Sequence, residues 1–275
     1  MSKIAILIYL LSFISVSAKS KYLIPLTTFD KDAGNWTLAT MGLELTDKIF
    51  YGKKGRSLLV NSLKSDFNHY QQKKTDGFHA LYYNVQFPSS GWVTDESWFL
   101  VDSPAEKSET TYTPAGEREE NGNGFSGKTY GFAGIDLYAV EYSDKSVKSR
   151  CSHIGPFVGI TYANELIYWT LPQYAYQINP LKPRVYIKSN QWCHLIVEIN
   201  VEQESFNLYL DQGEGLKKVA ENLAVFKGQA GSEDFRGLRS QVFNRCVGTF
   251  AGSTNNRIYF DNLSSYIGKY EGKSN

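Results

Sequence analysis

Tyrosines and side-chain amides alternate with apolar residues in the segment from Leu81 to Phe87. Successive side chains of a strand point to opposite faces, so the polar set and the apolar set are separated. If the apolar residues face a core, the outward set is Tyr82, Asn84 and Gln86. Aromatic rings suit the flat C–H faces of sugars, and amides suit their hydroxyls. The segment therefore predicts a surface compatible with carbohydrate.

Two further segments add residues of the same chemistry. In Gly134–Tyr142 we expect Ile135, Leu137 and Ala139 to face inward, which turns the intervening residues outward. A second group of aromatic rings precedes and follows Pro172. The additional predicted carbohydrate-binding residues are Asp136, Tyr138, Trp169, Tyr174 and Tyr176. The alternative is that these tyrosines simply pack against one another across neighbouring strands.

The elements that would position these residues are strands. Between Cys193 and Val201 the odd positions are all apolar, and the alternation resumes from Phe206 to Leu210 after the hydrophilic stretch Glu202–Ser205. This pattern predicts an antiparallel hairpin with one face on a core, formed by Trp192–Asp211.

Similar alternation recurs along the chain and predicts about a dozen strands, too many for one open sheet. We therefore predict an all-β fold, a two-sheet antiparallel β-sandwich of the jelly-roll kind. The predicted strands include Ser97–Asp102 and Val247–Phe250, and a short helical turn is expected from Ser232 to Phe243.

The first 18 residues have the features of a signal peptide. Lys3 precedes an apolar run from Ile4 to Ile14, and small residues end at Ala18. The run is shorter than the roughly 20 residues that a membrane span needs. We therefore expect one domain over residues 19–275, located outside the cell, or in the periplasm if the source is bacterial.

Charge and composition exclude two classes of partner. The formal net charge is +1, and loss of Lys3 with the predicted signal peptide would bring it to zero. A neutral chain has no field that attracts nucleic acid or anionic lipid. We expect no nucleic-acid partner and no membrane insertion, and the sequence leaves the oligomeric state open.

Three cysteines allow at most one internal disulfide. Cys193 occupies an apolar face of the predicted hairpin, which predicts a buried thiol. Cys151 and Cys246 each precede a predicted strand, and they are the predicted disulfide pair. Asn35-Trp36-Thr37 and Asn262-Leu263-Ser264 match the glycosylation sequon.

The stretch from Ser103 to Gly131 interrupts the pattern of strands. It is rich in glutamate and glycine and has almost no apolar residues. A loop of this length is uncommon in a compact domain. It is predicted to be a flexible, solvated loop over 103–131, and the alternative is a flap over a binding cleft.

Four stretches in order resemble the concanavalin A-like lectin/glucanase superfamily, which includes laminin-G-like modules and jelly-roll polysaccharide lyases. They are Gly52–Val60, Phe78–Phe87, Asn190–Asp211 and Arg257–Leu263. The resemblance covers most of residues 19–275 and implies the fold far more strongly than any function. It also implies a structural Ca²⁺ near the paired terminal strands, with Asp30, Asp32 and Asp261 as oxygen donors.

The catalytic motifs of this superfamily are incomplete here. Laminarinase-like glycosidases carry Glu-x-Asp-x-(x)-Glu on one strand, and the nearest match is Glu198-Ile199-Asn200-Val201-Glu202. Asn200 replaces the central aspartate, so we interpret the match as coincidence. The Arg-x-Glu-x-Arg and Gln-x-His motifs of jelly-roll alginate lyases do not occur. Catalytic residues thus stay unassigned.

The sequence favours a secreted protein that binds a glycan or polysaccharide through a concave sheet face and its rim loops. A jelly-roll polysaccharide lyase or glycoside hydrolase is one alternative. A laminin-G-like module that binds proteins is another.

Overall fold

The computed structural model describes residues 22–38, 43–61, 81–102, 134–143, 153–161, 164–170, 177–227, 236–250 and 257–272. The predicted signal peptide and the predicted loop 103–131 lie outside these residues. The described strands are β1 (Tyr22–Thr27), β2 (Thr37–Leu38), β3 (Leu43–Thr46), β4 (Ser57–Asn61), β5 (Leu81–Gln86), β6 (Trp92–Val101), β7 (Gly134–Tyr142), β8 (His153–Thr161), β9 (Leu166–Thr170), β10 (Gln177–Pro180), β11 (Trp192–Asn200), β12 (Ser205–Asp211), β13 (Lys217–Ala224), β14 (Val242–Phe250) and β15 (Arg257–Ile267).

The strands form two antiparallel sheets packed face to face. The eight-stranded sheet has the order β13-β12-β11-β6-β15-β4-β3, and β1 also pairs with β15. The seven-stranded sheet has the order β10-β9-β8-β7-β14-β5-β2. The predicted all-β, two-sheet antiparallel sandwich is confirmed.

The core lies between the sheets, and the predicted hairpin supplies part of it. Strands β11 and β12 pair in register from His194 with Asp211 to Asn200 with Ser205. Cys193, Leu195 and Val197 are at most 1% exposed. The inward face of the hairpin is therefore confirmed, and removing this apolar surface from water is the main source of stability.

One ion pair crosses the core from sheet to sheet. Arg245 of β14 donates to both carboxylate oxygens of Asp95 of β6, at 2.9 and 3.2 Å, and the two side chains are 1% and 2% exposed. The guanidinium also donates to the carbonyls of Leu137 (3.0 Å) and Cys246 (2.6 Å). Its carbon lies 4.6 Å from the centre of the Tyr138 ring. The pair thus fastens β6, β7 and β14 together.

This ion pair explains two errors in the predicted boundaries. Strand β6 begins at Trp92 rather than Ser97, and β14 begins at Val242 rather than Val247. In each strand a charged residue occupies an inward position, so the apolar alternation is interrupted. The helical turn predicted up to Phe243 is wrong at its C-terminal end, because Val242 and Phe243 lie in β14.

Candidate functional site

An open pocket lies on the outer surface of the seven-stranded sheet, beside its β2 edge. Its volume is about 340 Å³. The pocket, called here the amide pocket, is lined by Asn35, Thr37, Tyr82, Tyr83, Asn84 and Asn244. Two of the predicted site residues, Tyr82 and Asn84, are therefore among its lining residues.

Strand pairing places the side chains of the amide pocket next to one another. Asn84 of β5 is directly opposite Asn244 of β14, and Tyr82 of β5 is directly opposite Thr37 of β2. The Cβ atoms of such opposed residues are about 4.5–5.5 Å apart. Polar groups from three adjacent strands therefore meet in two neighbouring rows, and Asn35 adds an amide from the turn before β2.

Contacts of the Trp36 ring hold the segment that carries Asn35 and Thr37. Trp36, buried between the two pocket residues Asn35 and Thr37, meets the Tyr83 ring edge-on at 5.3 Å. Its indole N–H donates to the Thr27 hydroxyl at 3.2 Å. Because Trp36 is fixed at its ring and at its N–H, the segment that carries Asn35 and Thr37 is positioned before any ligand arrives.

The lining of the amide pocket is uncharged and rich in hydrogen-bonding groups. Within the described ranges, the side-chain amides of Asn35, Asn84 and Asn244 have no hydrogen-bond partner in the protein. Each amide offers two N–H donors and one carbonyl acceptor. The pocket can therefore both donate to and accept from a polar, uncharged ligand.

The predicted orientation of β5 is confirmed. Tyr82 is half-buried, and Asn84 and Gln86 are exposed. Leu81 and Val85 are buried in the core. Gln86 is paired with Val242, one row beyond the amide pocket, and it is not among the residues that line the pocket.

The predicted exposure of Tyr138 is wrong. Tyr138 is 1% exposed and belongs to the core together with its neighbour Leu137. The register of β7 shifts between Asp136 and Tyr138, which is a β-bulge. One extra residue reverses the alternation, so Tyr138 turns inward and covers Arg245 instead of facing solvent.

Trp169, one of the predicted carbohydrate-binding rings, is buried. It is 5% exposed, and its ring packs on Phe157 with the ring centres 4.0 Å apart. Asp136 lies in β7 opposite Gly248, but its side chain lies outside the described part of the structure. Tyr174 and Tyr176 are also outside the described residues. The binding roles predicted for Asp136, Tyr174 and Tyr176 stay predictions.

The sequence reasoning missed the pocket residues Asn35, Thr37 and Asn244. Asn244 was missed because it lies between the predicted helical turn, which ends at Phe243, and the predicted strand, which begins at Val247. Asn35 and Thr37 lie outside the alternating segments from which the binding residues were predicted. The sequon at Asn35 was the one local signal that this asparagine reaches the surface, and Asn35 is indeed exposed.

A second polar cluster lies on the outer face of the eight-stranded sheet, but its groups are paired with one another. One oxygen of Glu96 lies 3.0 Å from the Nε2 of His194, and the other accepts from the Tyr266 hydroxyl at 2.8 Å. The His194 ring stacks on Trp98 with the ring centres 4.6 Å apart, and Tyr51 stacks on Trp98 at 4.1 Å. This cluster therefore stabilises the sheet surface.

The glycosidase-like match around Glu198 is not a catalytic pair. Glu198 is buried and accepts from the Asn207 amide at 3.0 Å, the Tyr209 hydroxyl at 3.3 Å and the Tyr270 N–H at 3.1 Å. Glu202 lies in the turn after β11, so the two carboxylates do not share one strand face. The interpretation of the match as coincidence agrees with this geometry.

The acidic residues predicted as calcium ligands form an incomplete set. Burial raises the pKa of Asp261 to about 6, and the nearby Asp30 carboxylate adds to the rise. Asp261 already accepts the N–H groups of Asn262 (2.7 Å) and Tyr51 (3.2 Å), and Asp32 accepts that of Gly34 at 2.7 Å. In the described ranges, no three His, Cys, Asp or Glu side chains group as a metal site would require. These residues alone do not fit Ca²⁺, which takes six to eight oxygen ligands.

The cysteines are described in part. Cys193 is buried, as predicted, and burial raises the pKa of its thiol to about 12. The Cys246 sulfur is also buried and lies 3.1 Å from the Asn244 carbonyl oxygen. Cys151 lies outside the described residues, so the disulfide between Cys151 and Cys246 stays a prediction.

None of the described segments forms a helix long and apolar enough to cross a membrane.

Comparisons with known proteins return similar folds only. No protein family matches the sequence, and no curated protein is similar to it. One similar structure is the binding domain of Paraclostridial Mosquitocidal Protein 1, with 12% identity, a TM-score of 0.44 and coverage of 91% of this chain and 50% of that chain. Another is the C-terminal family 22 carbohydrate binding module of Clostridium thermocellum Xyn10B, with 12% identity, a TM-score of 0.37 and coverage of 88% and 91%.

A third similar structure is the CBM2 module of an evolved Dit protein from Lactobacillus casei BL23 phage J-1. It has 8% identity, a TM-score of 0.46 and coverage of 92% of this chain and 98% of that chain. The chain spans about half the length of the toxin binding domains that it matches. Likenesses at this distance do not bear on function.

Proposed function

We propose that the protein binds carbohydrate through the amide pocket. The observation that carries the proposal is the convergence of Asn35, Asn84 and Asn244 on one pocket beside Tyr82. In the described part of the chain, none of these three side-chain amides forms a hydrogen bond within the protein. The fold does not require these three amides, because the core and the Arg245–Asp95 ion pair already hold β14 against its neighbours.

The chemistry of the pocket matches that of sugar hydroxyls. A hydroxyl both donates and accepts hydrogen bonds, and an asparagine amide does both at fixed positions. The ring of half-buried Tyr82 adds apolar surface for the C–H groups of a sugar. The volume of about 340 Å³ is at the lower end of the range for ligand pockets, about 300–1,000 Å³. The pocket therefore suits a short sugar segment.

A glycan-array screen followed by calorimetry tests the proposal. The protein is produced in a bacterial host that lacks N-glycosylation, so that Asn35 is unmodified. Asn84→Ala and Asn244→Ala should each weaken binding of the best array ligand about two- to twelvefold, the effect of one hydrogen bond of about 0.5–1.5 kcal/mol.

The matched control is Gln203→Ala. Gln203 is an exposed amide in the turn between β11 and β12, in the opposite sheet. This variant should bind like the parent protein. Unchanged affinity of both Asn84→Ala and Asn244→Ala for a ligand that binds the parent protein would contradict the assignment of the pocket.

Three expectations from the sequence accompany this proposal. We propose that residues 1–18 direct export, which N-terminal sequencing of the protein recovered from its native host tests. We propose a relationship to the concanavalin A-like superfamily within the β-sandwich class. A structural calcium is retained only as a proposal that needs ligands beyond Asp30 and Asp261, and a comparison of thermal unfolding in calcium and in chelator tests it.

A further inference from the structure

We infer that the amide pocket selects neutral sugar residues and rejects acidic ones such as sialic and uronic acids. This inference rests on the proposed function and adds a class of ligand to it. Its basis is the character of the lining, in which all six side chains are uncharged at neutral pH. Asparagine, threonine and tyrosine supply hydrogen bonds without supplying a charge.

A carboxylate bound in this pocket would lose water without gaining a counter-charge. Removing a charged group from water is costly unless the group is paired as well as hydrogen-bonded. Proteins that recognise carboxylates use the arginine fork for this purpose. No lysine or arginine is among the six lining residues.

The cation adjacent to the pocket in sequence is already neutralised. Arg245 follows the pocket residue Asn244, but its side chain points into the core, where it is 1% exposed and paired with Asp95 at 2.9 Å. Its remaining donors are directed at the carbonyls of Leu137 and Cys246. Arg245 could reach a ligand carboxylate only by leaving a buried carboxylate unpaired, which is itself costly.

A neutral hydroxyl has no such requirement. Asn84 of β5 and Asn244 of β14 are directly opposite each other, so their amides can form hydrogen bonds with neighbouring groups of the same ligand. Each amide satisfies a hydroxyl whichever way the hydroxyl proton points, because it carries both donors and an acceptor. The arrangement therefore favours a sugar residue whose polar groups are all hydroxyls or amides.

Matched pairs of glycans test this inference on the complete chain. The probes are neutral oligosaccharides, including lactose and N-acetyllactosamine and glucose- and mannose-terminated chains, each compared with its sialylated or uronate-bearing derivative at constant ionic strength. We expect at least one neutral probe to bind and its acidic derivative to bind at least tenfold more weakly. Equal or tighter binding of the acidic derivatives, lost in Asn84→Ala, would overturn the inference while leaving the proposed function intact. Binding of no probe in either class would overturn the proposed function and the inference with it.

A gain-of-charge variant gives a second readout. Asn84→Lys should bring the affinity for the acidic member of a pair to within threefold of that for the neutral member, because it supplies the missing counter-charge. Gln203→Lys adds the same charge at the remote turn and should leave the preference unchanged. If Gln203→Lys changes the preference as much as Asn84→Lys does, net charge rather than the pocket determines selectivity, and the inference is wrong.

Discussion

Replacement of Arg245 by methionine should destabilise the protein by about 3–5 kcal/mol, the usual cost of removing one partner of a buried ion pair. The substitution roughly preserves side-chain volume but leaves the carboxylate of Asp95, 2% exposed, without its counter-charge. It also removes the donors that bond the carbonyls of Leu137 and Cys246. A domain of this kind is typically stable by about 5–15 kcal/mol, so the loss is a large share of the total.

A double-mutant cycle separates the charge from the packing. Asp95→Leu should be similarly destabilising, because it strands the guanidinium in the core. The double variant Asp95→Leu/Arg245→Met should recover most of the loss, since an apolar pair of similar volume often replaces a buried ion pair at little cost. The surface pair Lys227–Glu204, at 2.9 Å and partly exposed, supplies the control, and Lys227→Met should cost at most about 1 kcal/mol.

The assay is urea unfolding followed by tryptophan fluorescence, with glycan affinity measured in parallel. Burial raises the pKa of Asp95, and Arg245 opposes that rise. Without Arg245 the folded-state pKa is further above the unfolded value, so stability is retained at acid pH and lost as the pH rises through the folded pKa. The deficit of Arg245→Met should therefore shrink on acidification. A loss below 1 kcal/mol, or a double variant no more stable than the single ones, would refute this account of the ion pair.

Three further predictions follow from buried groups. The pKa of Asp261 in the folded protein is raised to about 6 from 3.8, so the parent protein loses on the order of 2 kcal/mol of stability as the pH rises from about 4 to 6. Asp261→Asn, measured in the presence of a chelator, should remove this dependence of stability on pH. An unchanged slope in urea unfolding would contradict this. Cys193 should resist iodoacetamide in the folded protein and react after denaturation, as read by peptide mass spectrometry, because the buried thiol has a pKa of about 12; modification of the native protein would show that the core is open. Gly155→Ala should destabilise by about 1–3 kcal/mol or more, because Gly155 has a φ of 124° and an added Cβ would overlap Val140. Gly91→Ala, with positive φ but open space around it, should cost less in the same thermal-unfolding assay, and equal losses would refute the role of the overlap.

The parts of the fold that follow strict alternation could be predicted from sequence. The β11–β12 hairpin is the best example, because its inward positions are uninterrupted from Cys193 to Leu210 apart from the turn. Strands β6 and β14 were truncated because Asp95 and Arg245 occupy inward positions, and a charge there looks like the end of a strand. Only the packed sheets show that each charge is the partner of the other.

The candidate site could be predicted only in part for a different reason. Tyr82 and Asn84 belong to a regular strand, so their outward orientation followed from the period of two. Tyr138 turns inward because of a bulge, and a bulge has no signature in the alternation of a single strand. Asn35 and Asn244 join the pocket through pairing between segments far apart in sequence, which no local pattern contains.

The side-chain amide resonances of Asn35, Asn84 and Asn244 give the most direct test of the central claim. Their ¹⁵N-NMR signals, assigned from single alanine variants, are followed while a neutral oligosaccharide that binds in the array is added. We predict saturable shifts of these three amides, with the amides of Asn200 and Asn207 on the opposite sheet unmoved. Shifts confined to Asn200 and Asn207, with the pocket amides unchanged at saturation, would contradict carbohydrate binding at this pocket.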